Sequence, residues 1–306
     1  MQIATVSHPE VKSRLARREN VPTLPAIFTQ LVRATSDPDT SLHELATIIT
    51  YDPALMASVL RVANSSFMAL KEPVQDLPSA VLCLGMVEIR RAVLAVGSFK
   101  MLFGGRTQAA YLKDIWIHSV ATAFISQQLA IVGRFEIEEE AYVAGLMHDL
   151  GKLFFASAYP KVYADLRERV ADGEGEGLVL EKETFGLNHV EVAAELGTHY
   201  KLPPSVIEVG LHHHDPLKAG DAARMLVLCI AIANIMAHHI LVDEPVQDRL
   251  VQLRTWLLEL STKSGNPVFA ELEEVSPQMT LEAISPLLAL RADEILDYTE
   301  MITSST

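Results

Sequence analysis

Residues 41–67 read SLHELATIITYDPALMASVLRVANSSF. Two helix starts lie in this stretch. Ser41 and Glu44 have the spacing of a capping box ahead of LATII, a serine oxygen taking an otherwise unpaired amide of the first turn. Asp52 stands as an N-cap before Pro53, whose fixed φ suits the first helical position. Leu55, Val59, Leu60 and Ala63 then recur at helical spacing. The stretch predicts helix, turn, helix.

The same grammar extends along the chain. Pro78-Ser79 open a helix that Gly85 ends or kinks, and 88–100 form a further one. Phe103-Gly-Gly-Arg106 is a flexible joint. Beyond it the apolar spacing predicts helices at about 109–132, 138–149, 159–170, 180–185, 190–200, 204–212, 222–239, 246–261 and 286–301. Three glutamates open the 138–149 helix, where the dipole favours negative charge. Residues 172–177 form a mobile acidic loop. Alternating patterns are scarce, so the class is all-α, in two packed helical lobes. The expected division is 1–105 for an N-terminal lobe, 106–240 for a second lobe, and 241–306 for a C-terminal helical extension packed on it.

Composition supports a folded chain. Of 306 residues, 49% are hydrophobic and 21% charged, which excludes disorder over most of the length. The formal charge of −14 repels phosphate backbones, so no nucleic-acid partner is expected. Cys83 and Cys229 lie apart in apolar stretches and are read as buried thiols, without a disulfide framework or a thiolate zinc site. That usage fits a reducing cytoplasm. Stretches 80–103 and 225–240 are too interrupted or too short to span a bilayer, and the N-terminus has no signal-like apolar region. The expected location is cytoplasmic, with no membrane partner.

One set of residues rises above this background. His118, His148-Asp149 with Lys152, His189, and His212-His213-His214-Asp215 all lie in the second half. Histidine is the commonest transition-metal ligand, and an adjacent carboxylate can bridge two ions. Nitrogen and oxygen donors without thiolate favour iron, manganese, zinc or nickel. Neighbours on a helix point about 100° apart, so His148 and Asp149 share a pocket only near a helix end or across a wide cleft. Taken singly, His118 beside Trp116 reads as a hydrogen-bonded core histidine. His189 reads as a helix-start residue and the triple histidine as a solvated helix end. Spacing alone leaves both readings open. His199 and His238-His239 read as helix surface, Asn64-Ser65 as a helix cap, and Arg90-Arg91 as a solvated face, with partner docking the alternative.

The order His118, HDLGK (148–152), Asn188-His189-Val-Glu-Val and HHHDP (212–216) resembles the HD superfamily of metal-dependent phosphohydrolases. The opening LPAIFTQLVRATSDPDTSLHELATIITYDPALMASVLRVANSSF (24–67), with Pro78-Ser79-Ala80-Val81 and Leu84-Gly85, is similar to its signalling branch, the HDOD (HD-related output domain) family. The resemblance covers roughly residues 20–240. It implies an HD-like bundle for the second lobe. It also implies one or two divalent transition-metal ions on His118, His148, Asp149, His189, His213 and His214. The superfamily's late aspartate falls in CIAIANIMAHH, where the matching residue is Asn234. An amide is a neutral and poorer donor than a carboxylate.

The function implied is that of a bacterial-type signal-transduction module, binding and regulatory, with weak or no catalysis. Its expected partners are another signalling protein or a second copy, docking through the Ser41–Phe67 helices, and a nucleotide or phosphate ligand in the pocket. The alternative is an active phosphohydrolase, a phosphomonoesterase or nucleotide phosphodiesterase, in which Lys152 would hold a phosphate oxygen.

Overall fold

Burial of the longest apolar helices sets the architecture. The computed structural model describes residues 6–17, 34, 39–50, 53–64, 73–103 and 110–240, and every element among them is helical. The helices are α1 (His8–Arg17), α2 (Leu42–Thr50), α3 (Pro53–Ala63), α4 (Leu77–Phe103), α5 (Ala110–Gly133), α6 (Glu138–Met147), α7 (Leu150–Ala158), α8 (Pro160–Ala171), α9 (Gly177–Phe185), α10 (His189–His199), α11 (Pro204–His212) and α12 (Asp221–Ile240), with a 3₁₀ turn at Pro216–Lys218. Asp52, the 103–106 joint beyond Phe103, and the expected helices at 246–261 and 286–301 lie outside the described residues.

In the first half, α2 and α3 pack on α4. The Glu44 amide donates to Ser41 Oγ at 3.2 Å, so Ser41 caps α2. Asn64 clasps the chain ten residues on. Its Nδ2 donates to the Val74 carbonyl at 2.8 Å, and the Val74 amide donates to its Oδ1 at 2.6 Å. Gly85 kinks α4 with φ 71°, a conformation that favours glycine. Cys83 is exposed, contrary to the sequence reading. The buried stripe of this helix follows Leu77, Ala80, Val81 and Leu84, and Cys83 falls off it beside the exposed Leu82.

Arg90 and Arg91 also depart from expectation. Both are buried rather than solvated. Arg90 pairs with Glu139 at the start of α6. Arg91 pairs with Glu88, donates to the Gln127 side chain of α5, and lies over the Phe124 ring at 5.2 Å. The Tyr142 hydroxyl donates to the Arg91 carbonyl at 3.2 Å. A periodicity argument treats arginine as polar. The flat guanidinium can instead be buried where carboxylate and amide oxygens meet it.

In the second half, α5 packs on α6 and α12, while α10 packs on α7 and α11. Tyr111–Gly133 and Asp221–His238 are long and apolar enough to cross a membrane, each with a mean hydropathy of 1.4. Their most apolar windows are 83% and 67% buried inside the fold, so they form its central pair. The N-terminal helix α1 lies against the far end of this half. Arg14 donates to the Ala158 carbonyl at 3.3 Å and its guanidinium covers the Tyr159 ring at 4.8 Å.

The expected helix over 138–149 stops early, at Met147, and a new helix, α7, starts at Leu150. Gly151 lets that second helix touch α10. A Cβ there would lie 2.0 Å from the His189 carbonyl oxygen, a backbone atom with nowhere to go. We therefore expect Gly151→Ala to destabilise the protein by about 1–3 kcal/mol, as overpacking does. Gly177→Ala, whose Cβ meets nothing within 4 Å, should be close to neutral. Urea unfolding midpoints of the two variants check this.

Candidate metal centre

The break between α6 and α7 brings the HD pair together. His148 is the C-cap of α6 and Asp149 the N-cap of α7, so both side chains leave the helix axis at one point. His148 Nδ1 donates to the Gly145 carbonyl at 2.7 Å, leaving its Nε2 lone pair 3.2 Å from Asp149 Oδ2. His118 arrives from α5 with Nε2 3.9 Å from that oxygen. The same nitrogen lies 2.8 Å from Oδ1 of Asn234 on α12.

Three more histidines face the other carboxylate oxygen. An Asn188 capping box starts α10 and places His189 at its first residue. His189 Nε2 is 3.5 Å from Asp149 Oδ1. His213 follows the last residue of α11. Its Nδ1 faces the Val209 and Gly210 carbonyls at 3.1 and 3.2 Å, and its Nε2 is 3.6 Å from Asp149 Oδ1. His214 Nε2 lies 3.1 Å from His189 Nε2. The donors thus fall into two groups, His118, His148, Asp149 and His189, His213, His214, with ligand atoms inside each within 4.8 Å of one another. Asp149 stands between them, Oδ2 toward the first and Oδ1 toward the second. His213 and His214 converge, while His212 turns to Glu208 of its own helix at 3.7 Å.

The chemistry of these donors fits a cation. His148 Nε2, His213 Nε2 and Asp149 Oδ1 are buried without a hydrogen-bond partner. Each such atom costs about 1–3 kcal/mol, and three converging on one centre is unusual in a native protein. Burial holds His118 and His189 well below the ordinary histidine pKa, lowers His213, and brings His214 to about 3. The rings are therefore neutral, with lone pairs available. Burial acts against the Asp149 charge, but His148 and Lys152 more than offset it and hold its pKa well below the usual carboxylate range. Neutral imidazoles around a carboxylate are the ligand forms. Two donors at right angles on one ion, each about 2.1 Å away, lie about 3 Å apart. The His118–Asn234 and His189–His214 distances of 2.8 and 3.1 Å match that spacing. Cys229 is no rival ligand, because burial pushes its thiol up to about 12.

Lys152 sits at the edge of the centre, its Nζ 2.8 Å from Asp149 Oδ2. Two further residues escaped the sequence reading. Glu181 on α9 is buried, and its Oε2 accepts both the His189 amide and His189 Nδ1 at 2.7 Å. This bond fixes the tautomer that leaves His189 Nε2 free for the centre. Burial pushes the Glu181 pKa up to about 7. Its signal was its place on the face of Leu180, Thr184 and Phe185, hidden by the charged neighbours Lys182 and Glu183. His238 is exposed, as read, yet its ring stacks on His118 with centroids 4.1 Å apart. His199 meets Tyr200 instead.

Known proteins give this geometry a context. The family model described as HDOD domain matches residues 21–216. A protein of Treponema pallidum (strain Nichols) is 27% identical over 236 residues, 77% of this chain and 45% of that protein. The chain spans less than half the length of the curated relatives it matches. A crystal structure of an HDOD domain protein from Geobacter sulfurreducens shares the fold, with a TM-score of 0.77 and 24% identity, covering 95% of this chain and 99% of that one. A candidate phosphohydrolase from Shewanella amazonensis SB2B shares it too, with a TM-score of 0.71 and 24% identity, over 95% and 97% of the two chains.

Glu181→Gln should lower affinity for a divalent ion by about 10–100-fold, the usual cost of losing an outer-shell carboxylate. Calorimetric titration of chelator-treated protein with Zn²⁺ or Mn²⁺ measures this.

Proposed function

Since the chain belongs to the HDOD domain family, we propose that it is a binding and regulatory module of bacterial-type signal transduction, with a metal pocket inherited from hydrolases and weak or no turnover. The observation that carries this reading is Asn234. Its neutral amide oxygen lies 2.8 Å from His118 Nε2, at the place where a hydrolase of the superfamily would present a carboxylate. His118, His148, Asp149 and Asn234 would hold one ion, and His189, His213, His214 and Asp149 a second. Divalent ions held there would supply Lewis acidity toward water and phosphoryl oxygens, and a missing ligand charge weakens retention of the metal.

The remaining residues admit a second reading, an active phosphohydrolase. Six of the seven donors expected of a two-ion site converge, and Lys152 stands at its edge. In that case Lys152 would bind a phosphate oxygen, exchanging its contact with Asp149 for one with substrate. We expect weak or no hydrolysis of a phosphomonoester or a cyclic nucleotide with Mn²⁺, Fe²⁺, Zn²⁺ or Ni²⁺. Asn234→Asp should raise metal affinity at least about tenfold, one added charge acting at short range. Steady turnover by the unmodified protein, lost in Asp149→Ala, would establish the hydrolase instead.

A regulatory module must pass pocket occupancy to a surface, and the first turn of α6 is placed to do so. Glu139 pairs with Arg90 of α4, and neighbouring Glu140 accepts from the Ser205 hydroxyl at the start of α11. The far ends of α6 and α11 deliver His148 and His213-His214. A shift of either ligand helix would therefore load the seam with the first half, where a signalling protein or a second copy docks on the Ser41–Phe67 helices. The expected coupling is about 1–3 kcal/mol. A pull-down with exposed polar positions of α2 substituted should lose the partner without loss of fold. Equal partner affinity for metal-loaded and metal-stripped protein would leave docking without coupling.

A further inference from the structure

We propose that His189, His213, His214 and Asp149 Oδ1 take and keep the first ion, and that the group around His118 is a weaker, exchangeable position that Lys152 contests. The assignment rests on the metal-centre reading above and deepens it, by naming the position that keeps its ion and the one that responds.

The two oxygens of Asp149 are not equivalent. Oδ2 already has a cation beside it, the Lys152 ammonium at 2.8 Å. An ion entering the His118 group has to displace that charge from the one carboxylate among its donors. The other donors there are neutral, and Asn234 supplies an amide where a carboxylate would bind more strongly. Oδ1, by contrast, is buried without a hydrogen-bond partner. So is His213 Nε2, 3.6 Å away. A cation between these two atoms would remove the cost of leaving both unsatisfied.

The distances favour the same order. Four ligands about 2.0–2.1 Å from an ion at tetrahedral angles lie about 3.3–3.4 Å from one another. His189 Nε2 is 3.1 Å from His214 Nε2 and 3.5 Å from Asp149 Oδ1, and His213 Nε2 is 3.6 Å from that oxygen. These three edges straddle the tetrahedral value. In the first group the edges are less even, 2.8 Å from His118 Nε2 to Asn234 Oδ1 and 3.9 Å from His118 Nε2 to Asp149 Oδ2.

The supports behind the ligands differ too. Glu181 Oε2 faces His189 Nδ1 at 2.7 Å, so a carboxylate orients that ring and strengthens its donor nitrogen. His213 Nδ1 faces two backbone carbonyls. The Nδ1 of His118 is buried without a hydrogen-bond partner, so no acceptor orients that ring from behind. Four protein donors close the second group in the manner of a structural site. The first group exchanges its ion against Lys152. Loading it frees the ammonium from Asp149, and that exchange is the event a regulatory pocket can report.

Co²⁺ serves as the probe, because nitrogen and oxygen sites accept it and its visible spectrum reports coordination geometry. The full chain is stripped with chelator and titrated. We expect a first equivalent with the bands of a four-coordinate ion, and a second bound at least about tenfold more weakly, since its carboxylate oxygen is contested. His214→Gln, at an exposed side chain, should weaken the first step at least about tenfold and shift its bands, while the stripped variant unfolds at the wild-type temperature. His118→Gln should weaken the second step alone. Lys152→Met should tighten the second step more than the first. Equal affinity for both equivalents in the wild type, a first step unchanged in His214→Gln, or a first step lost in His118→Gln would overturn the order while leaving the metal centre standing. An unchanged second step in Lys152→Met would overturn the part given to the lysine. Failure of the wild type to take up any Co²⁺ would overturn both the order and the centre.

Discussion

Asp149 is an anion buried to 1% exposure where helix α7 begins, and the histidines of the second half are arranged around its two oxygens. An isolated buried carboxylate is costly, and proteins compensate with opposite charge, hydrogen bonds or metal. Here Lys152 supplies one positive charge from one turn along α7. Burial keeps the His118 and His189 rings neutral, so these two bring positive charge to Asp149 only through a cation that they would hold. Helix ends must come close to Asp149 for any of this to work, and that requirement explains several local features. Gly151 permits α10 to approach within a distance that a Cβ would forbid. Gly145 does the same toward α5, where a Cβ would lie 2.7 Å from the Ala123 Cα. The Asn188 capping box starts α10 at the residue that must face inward.

What could be read from sequence follows from how locally each feature is encoded. Ser41, Pro204 and the 3.6-residue apolar period announce themselves within a few residues, so helix class and most boundaries were legible. The angular argument left the HD pair either near a helix end or across a wide cleft, and the expected helix ran through it to Asp149, so the break after Met147 was not legible. What was not legible depends on partners distant in sequence. Glu181 looks like one of three successive charged residues until α10 is laid beside it. Arg90 and Arg91 look solvated until Glu139 and Gln127, 49 and 36 positions on, meet them. Cys83 shows the converse. Apolar neighbours suggested burial, but the stripe on α4 runs through Leu84 and leaves the thiol outside.

The seam between α4 and α6 is where the two halves of the described chain are locked in register. A partly buried ion pair such as Arg90–Glu139 adds little net stability, since water screens the exposed carboxylate and desolvating the guanidinium offsets much of the attraction. What it adds is direction. Arg90 directs a guanidinium nitrogen at Glu139, and Arg91 lies between Glu88, Gln127 and the face of Phe124. An apolar seam could slide by a fraction of a turn at small cost, whereas this one has to break charged hydrogen bonds to move. Such a contact favours discrete arrangements over gradual ones. Because Glu139 and Glu140 are adjacent, and one holds α4 while the other holds α11, the first turn of α6 joins the helix that delivers His213 and His214 to the first half. A shift of α11 relative to α4 would have to disturb the Glu139 and Glu140 contacts together, and that shared helix turn is the link between the halves on which the regulatory reading depends.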